Sequence, residues 1–148
     1  MGDVDHRHMN PPSLRVQREV TIAGDQTLLV WDLRIAQPNV TFLPSPVAHS
    51  LEHFLGVYLK EAANDVVNVA PMGCRTGFYI VTSGAMDAGR LASCLIQACR
   101  RICGSDSVPL ADVINCGWAE NHSLNGAQAV AEWLLLRATS WADTAGAA

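Results

Sequence analysis

The fold is decided by the segment SLRVQREVTIAGDQTLLVWDLRIAQPN, which runs from Ser13 to Asn39. Two stretches rich in β-branched and aliphatic residues flank Gly24-Asp25, a pair that is typical of a tight turn between antiparallel strands. The residues QPN at the end of the segment stop the second strand, since proline cannot donate a hydrogen bond to a neighbouring strand. The segment therefore predicts a β-hairpin.

The rest of the chain alternates between predicted strands and helices. In order, these are a helix from Ser45 to about Ala63 with Ser45 as N-cap and Pro46 in the first position, strands at residues 65–72 and 76–84, a helix from about Asp87 to Ile102, a short strand near residues 112–117, and a helix capped by Ser123. This order favours helices packed on one face of a largely antiparallel sheet. We expect a single-domain α+β sandwich over residues 1–148, with 1–12 and 141–148 as loose ends.

Composition and charge exclude several classes of protein. The apolar fraction of 49% is typical of a folded chain, and a net charge of −4 with ten scattered basic residues disfavours nucleic acid or a membrane surface as a partner. No apolar stretch is long enough to span a membrane, and the N-terminal residues are too polar for a signal peptide. We therefore expect a cytoplasmic protein whose five cysteines are thiols.

The helix predicted from Ser45 carries HSLEH at residues 49–53, the first candidate for a functional site. At about 100° per residue, His49, Glu52 and His53 share one face of the helix. Two imidazoles one turn apart can bind one metal ion, and the glutamate remains free to move protons. The alternative is a solvated helix face with two surface histidines, and metal binding needs a third ligand from elsewhere.

The remainder of this helix separates into a polar and an apolar stripe. Gly56 and Lys60, the single lysine of the chain, continue the polar stripe, and the small Gly56 leaves room for a ligand beside the site. The opposite side carries the residues expected in the core, which are Leu51, Phe54, Leu55, Tyr58, Leu59 and Ala62.

Two cysteines are candidates for chemistry. Cys116 ends a predicted strand and precedes a glycine, so it could supply the third metal ligand and leave one coordination position open, although a place in the core is the commoner role of a lone cysteine. Cys74 lies at a glycine-flanked turn beside Arg75, where backbone amides and a cation favour a thiolate that acts as nucleophile or base. The other three lie among apolar residues of one predicted helix and are expected in the core: Cys94, Cys99 and Cys103.

Five segments of the chain together point to a known family. They are DHRHMNPPSLR (residues 5–15), DLRIAQPN (32–39), HSLEH (49–53), APMGCRTGFY (70–79) and NCGWAENHSL (115–124). In order and spacing they resemble the S-ribosylhomocysteine lyase family, known as LuxS, over about Asp5 to Leu135. The resemblance implies a small α/β sandwich that forms a homodimer, with two active sites at the subunit interface.

The resemblance also implies roles for single residues. His49, His53 and Cys116 match the family's metal ligands, which bind one divalent ion per chain, natively Fe²⁺, with Zn²⁺ or Co²⁺ as substitutes. Glu52 and Cys74 match its acid/base residues. The residues that match or occupy positions of its substrate pocket are Arg34, His6 (contributed by the partner subunit), Lys60 (where many members have arginine) and Asn68.

The implied activity is that of a metal-dependent carbon–sulfur lyase acting on a small sugar thioether. S-ribosylhomocysteine has its carbonyl moved from C1 to C3 and then eliminates homocysteine. The other product is 4,5-dihydroxy-2,3-pentanedione, the precursor of the quorum-sensing signal autoinducer-2. Each step removes a proton next to a carbonyl group, so a Lewis-acidic metal and two proton-transfer groups fit the chemistry.

Three departures from the family pattern leave other functions open. Met1 stands where the family has a serine, Asn68 where it has an aspartate, and Ala70 where it has a serine. Since these positions surround the substrate, the alternative is the same chemistry on a modified sugar thioether in a specialised pathway. Two remoter alternatives are an HxxEH metallopeptidase, which wants a carboxylate as third ligand, and a zinc-stabilised binding domain, which wants four protein ligands.

Overall fold

The computed structural model describes residues 4–143 and residue 145, and it confirms the α+β fold. Its elements are a 3₁₀ turn at His6–His8, strands β1 (Ser13–Ala23), β2 (Gln26–Arg34), β3 (Val66–Pro71) and β4 (Gly77–Ser83), and helices α1 (Ser45–Ala62), α2 (Ala88–Cys103), α3 (Leu124–Leu136) and α4 (Ala138–Trp141). All strand pairs are antiparallel, in the order β1-β2-β4-β3. The predicted hairpin is present, and Gly24 in its turn has a φ of 56°, which glycine adopts at little cost.

The two faces of the sheet differ in chemistry, as strand β2 shows. Trp31 and Leu33 belong to the hydrophobic core that the helices share. Asp32 and Arg34 alternate with them along the strand and so project from the opposite face. All four side chains are buried. The sheet therefore holds a buried acid–base pair on the face that the helices leave uncovered.

Helix α1 packs its apolar stripe against strand β3 and helices α2 and α3. The predicted stripe is confirmed at four positions, since Leu51, Phe54, Leu55 and Leu59 are buried, and Tyr58 is half-buried, but Ala62 in the last turn is exposed. Among the described residues, none of the helices combines the length and the apolar character needed to cross a bilayer.

The short strand predicted at residues 112–117 is wrong. The carboxylate of Asp112 accepts a hydrogen bond from the backbone N–H of Ile114 at 2.9 Å, and the Asp112 carbonyl accepts one from the N–H of Cys116 at 2.9 Å. The segment therefore closes into a turn. Val113 and Ile114, which suggested the strand, are 88% and 89% exposed. A local side-chain hydrogen bond has overridden the strand propensity of these two residues.

Two smaller predictions are also wrong. Pro44 occupies the N-cap of α1, and Ser45 is the first helical residue. The Ser45 hydroxyl instead accepts a hydrogen bond from the side-chain amide of Asn121 at 3.1 Å, which ties the helix to the loop before α3. Cys103, expected in the core, is exposed at the last turn of α2.

Both predicted loose ends, residues 1–12 and 141–148, include residues outside the described part of the chain. Within that part, Trp141 is buried, and its indole N–H donates to the carbonyl of Leu134 at 2.8 Å.

Candidate metal centre

Four potential metal ligands converge between helix α1 and the loop that joins α2 to α3. One ring nitrogen each from His49, His53 and His122 and the sulfur of Cys116 lie within 4.8 Å of one another. The first two histidines share one face of α1, as predicted, and the loop supplies the other two residues. Nitrogen and sulfur donors suit transition-metal ions better than Mg²⁺ or Ca²⁺. The cluster therefore fits a divalent metal ion of that class.

Two of the separations between the potential ligand atoms match those of atoms that share a metal ion. Cys116 Sγ lies 3.4 Å from His49 Nε2 and 3.6 Å from His122 Nε2. Metal–ligand bonds of about 2.0–2.3 Å that meet at tetrahedral angles place two ligand atoms about 3.5 Å apart. The two measured separations therefore fit one bound ion, and all four atoms lie within 4.8 Å of one another.

Backbone carbonyls orient the two histidines of α1. The Nδ1 of His49 lies 2.9 Å from the carbonyl oxygen of Asn121, and the Nδ1 of His53 lies 2.8 Å from that of Pro109. Because a carbonyl oxygen can only accept, each Nδ1 carries the proton, and each Nε2 presents its lone pair to the cluster. These two hydrogen bonds set both the tautomer and the ring orientation that a metal ligand needs.

The loop fixes the sulfur of Cys116. The turn closed by Asp112 holds the Cys116 backbone, and the backbone N–H of Trp118 donates to Cys116 Sγ at 3.4 Å. Cys116 lies in a loop and is only half-buried, so it is not a residue of the hydrophobic core.

His122 belongs to the cluster although the sequence pattern assigned it no role. It lies six residues after Cys116 and just before the N-cap of α3. The sequence signal that could have identified it is a third histidine close to a candidate metal ligand. Its ring stacks on that of His49 with the centroids 4.0 Å apart. Burial, followed by the charges that His49 and His53 can carry, lowers the pKa of His122 to about 4.

Glu52 lies beside the cluster and opens to a cavity. Its Oε2 is 3.8 Å from His53 Nε2, and its side chain is 34% exposed. Glu52, His53, Gly56 and Lys60 line a cavity of about 350 Å³. A methyl group added at Gly56 would meet nothing within 4 Å, so the predicted open stripe is present. The carboxylate can therefore reach a ligand in the cavity from next to the cluster.

Cys74 lies at the turn between β3 and β4 and is held by a hydroxyl. Its sulfur is 3.0 Å from Thr76 Oγ1, which also accepts a hydrogen bond from Arg34 Nη1 at 2.7 Å. The hydroxyl proton of Thr76 is therefore available to the sulfur. Burial raises the pKa of the Cys74 thiol, but the hydrogen bonds of Thr76 and the charge of Arg34 outweigh it and lower the pKa overall. The thiol is exposed and inclined to ionise.

The cation beside Cys74 is Arg34. The sequence had suggested Arg75 instead. Arg34 Nη1 lies 4.0 Å from Cys74 Sγ, whereas the guanidinium of Arg75 lies over the ring of Phe42. Arg34 is anchored by Asp32, whose carboxylate accepts from its Nε at 3.1 Å and its Nη2 at 2.7 Å. Asp32 lies two residues before Arg34, so the two side chains project from the same face of β2.

The remaining site candidates lie in different places. His6 lines a cavity of about 440 Å³ with Cys74 and Thr76 of its own chain. Asn68 is exposed on β3 and does not line this cavity or that of Glu52. Glu52 and Cys74, the two expected acid/base groups, line separate cavities of the single chain.

Imidazole and thiol ligands that converge in this way, with a carboxylate beside them, give the α+β domain a candidate metal centre. A sequence model of the S-ribosylhomocysteinase (LuxS) family matches residues 2–145, and the chain belongs to that family.

Named relatives agree with this assignment over nearly their full lengths. The S-ribosylhomocysteine lyase of Macrococcus caseolyticus is 31% identical over 94% of this chain and 86% of its own. That of Listeria monocytogenes serotype 4a is 32% identical over 97% of this chain and 93% of its own. That of Chromohalobacter salexigens is 32% identical over 94% and 90%.

Proposed function

We propose that this chain is a metal-dependent carbon–sulfur lyase that converts S-ribosylhomocysteine to homocysteine and 4,5-dihydroxy-2,3-pentanedione, the autoinducer-2 precursor. The observation that carries the proposal is the meeting of the HSLEH face of α1 with Cys116, in a chain that the family matches over residues 2–145. The relatives named S-ribosylhomocysteine lyase support the substrate.

The proposed ligands are His49, His53 and Cys116, which hold one divalent ion per chain. We propose Fe²⁺ as the resident ion, with Zn²⁺ or Co²⁺ as substitutes. Two nitrogen ligands and one sulfur ligand suit all three ions. When bound, the ion supplies Lewis acidity toward a substrate oxygen. The chain's own contribution is to hold the ligand atoms at fixed spacing beside an open cavity.

Glu52 and Cys74 move the protons in the proposed reaction. Shifting a carbonyl along the sugar chain and then eliminating a thiol each begin with removal of a proton next to a carbonyl. The lowered pKa of Cys74 favours its thiolate, which is the form that acts as a base. Glu52 is exposed enough to exchange protons with a bound substrate. The two groups would take the proton from one carbon and return it at the next.

A homodimer would bring the two proton-transfer groups together. Glu52 and Cys74 line separate cavities of one chain, which supports a site that two chains complete. We propose that two copies of the chain associate and form two sites at their interface, with His6 supplied by the partner. Exposed apolar side chains around the cluster support a covered surface there, namely Leu110, Val113, Ile114 and Trp118.

Arg34, Lys60, His6 and Asn68 are the proposed substrate contacts. Arg34 offers a cation from the sheet, and Lys60 offers one in the cavity that Glu52 lines. Asn68 replaces a charged family residue, so an alternative substrate is a modified sugar thioether whose amino group is masked. Comparing wild type with Asn68→Asp on S-ribosylhomocysteine and on its N-acylated analogue tests this, since a charged residue should favour only the free amine.

The structure supports a metallopeptidase less well. That function wants a carboxylate as the third ligand, whereas Cys116 and His122 complete the cluster among the described residues. A cytoplasmic location agrees with the free thiols of the described chain, since disulfides are rare in that compartment.

The direct test is to incubate the purified metal-loaded protein with S-ribosylhomocysteine and to titrate the released thiol. We expect one homocysteine for each substrate consumed, together with the dicarbonyl product. No release by a protein that carries its full complement of metal would contradict the proposed function.

A further inference from the structure

Distance alone does not separate ligands from neighbours in the metal centre. Cys116 Sγ lies 3.4 Å from the Nε2 of His49 and 3.6 Å from that of His122. Either value suits two atoms bound to one metal ion or an N–H donating to a sulfur. The hydrogen bonds on the far side of each ring decide between the two, because they fix which nitrogen carries the proton.

The far side of His122 differs from that of the other two histidines. His49 and His53 each meet a carbonyl oxygen, at 2.9 and 2.8 Å, which favours the proton on Nδ1. The side-chain amide of Asn121 lies farther from His49 Nδ1, at 3.4 Å. The Nδ1 of His122 instead meets the hydroxyl of Ser50 at 3.0 Å. A hydroxyl can donate or accept, so the partners of Ser50 must be accounted for.

Ser50 is fully buried, and its oxygen already accepts the backbone N–H of Ser123 at 2.8 Å. Within the described part of the chain, His122 Nδ1 is the one acceptor placed to take the Ser50 hydroxyl proton. If Nδ1 were protonated, the buried hydroxyl would be left without an acceptor, which is rare and unfavourable in folded proteins. The hydroxyl therefore donates to Nδ1, and the ring proton of His122 resides on Nε2.

We propose that His122 is not a fourth ligand but a positioning residue that donates its Nε2–H to the thiolate of Cys116. The sulfur then receives two hydrogen bonds, from His122 and from the backbone N–H of Trp118. Both withdraw electron density from the sulfur, and the fourth coordination position stays open. This inference rests on the metal centre of the proposed function and not on its substrate.

The test reads the tautomers directly in zinc-loaded protein without substrate. Long-range ¹H–¹⁵N spectra of ¹⁵N-histidine protein distinguish a ring protonated at Nδ1 from one protonated at Nε2. We expect His49 and His53 to carry the proton on Nδ1 and His122 to carry it on Nε2. His122 protonated on Nδ1, with Nε2 bound to zinc, would overturn the proposal whether or not the chain turns over S-ribosylhomocysteine.

Variants give a second readout. His122→Phe removes both ring nitrogens, and His8→Phe is the matched control, because His8 is exposed outside the cluster. In the cobalt-substituted His122→Phe protein we expect unchanged d–d bands, a sulfur-to-cobalt charge-transfer band moved to longer wavelength, and metal binding weakened about 10–100-fold. Altered d–d bands in His122→Phe alone would show a lost ligand and refute the proposal.

Ser50→Ala keeps the ring but removes the donor to Nδ1. We expect its spectra to show His122 in a mixture of tautomers with the protein folded. An unchanged Nε2–H signal of His122 would refute the role assigned to the hydroxyl. The wild-type spectrum decides the question of the fourth ligand even if the phenylalanine variant does not fold.

Discussion

Asp32→Asn removes a charge from the buried network behind strand β2 while keeping the shape of the side chain. The Asp32 carboxylate accepts from Arg34 Nη2 at 2.7 Å and from Arg15 Nη2 at 3.1 Å. Asp32 is 1% exposed, and the Arg34 side chain is 3% exposed. The amide would leave the Arg34 guanidinium, which is 3% exposed, beside Arg15 with no opposite charge.

We expect Asp32→Asn to lower the free energy of unfolding by about 3–5 kcal/mol, the usual cost of breaking a buried ion pair by removing one partner. With an m value of about 2 kcal/mol/M, the midpoint of urea unfolding should fall by about 1.5–2.5 M. Circular dichroism against urea concentration measures this in substrate-free protein.

The chain offers a matched control in Glu61→Gln. Arg101 Nη1 lies 2.7 Å from Glu61 Oε2, the same separation as in the buried pair, but the two side chains are 49% and 54% exposed. Solvent screens such a pair, so its loss should cost less than about 1 kcal/mol. If Asp32→Asn and Glu61→Gln moved the midpoint equally, burial would not govern the strength of the Asp32 pair, and the reasoning would fail.

Three further predictions concern the site. Cys116→Ala should lose the bound metal whereas Cys99→Ala should keep it, and equal metal contents by elemental analysis would exclude Cys116 as a ligand. Glu52→Gln and Cys74→Ala should both retain metal but release no thiol from substrate; a variant that lost its metal would have a different role. Because the pKa of Cys74 is lowered, its alkylation by iodoacetamide should persist below the pH range of an ordinary thiol. Thr76→Val should move that profile to higher pH, while Cys99, whose pKa burial raises to about 12, should stay unreactive throughout; an unmoved profile would exclude the Thr76 hydrogen bond as a cause.

Local patterns predicted the elements whose residues interact with near neighbours in the chain. The period of α1 placed His49 and His53 on one face, because helical geometry alone fixes that relation. The hairpin followed from its turn and from the strand propensity on both sides. These features depend on residues a few positions apart, so a single sequence carries enough information for them.

The features that the sequence missed depend on contacts between distant segments. Asp32 is one acid among fourteen in the chain, and its importance comes from Arg15, which pairs with it across the β1–β2 register. The strand predicted at Val113 and Ile114 did not form because, within the described residues, no strand lies beside the segment to pair with it. The local hydrogen bonds of Asp112 then outweighed a weak strand propensity.

The metal centre shows why ligand types alone do not give the function of such a cluster. Three histidines and one cysteine are also a sufficient set for a structural zinc site, which would make the domain a binding module. The proton on His122 separates the two outcomes, and it is set by Ser50, the residue next to His49 on α1. One helix thus presents a ligand and, one position later, the hydroxyl that keeps a competing histidine off the metal. On the proposed assignment, that adjacency keeps one coordination position open, and Ser50→Ala would weaken this control of His122 without changing a single ligand.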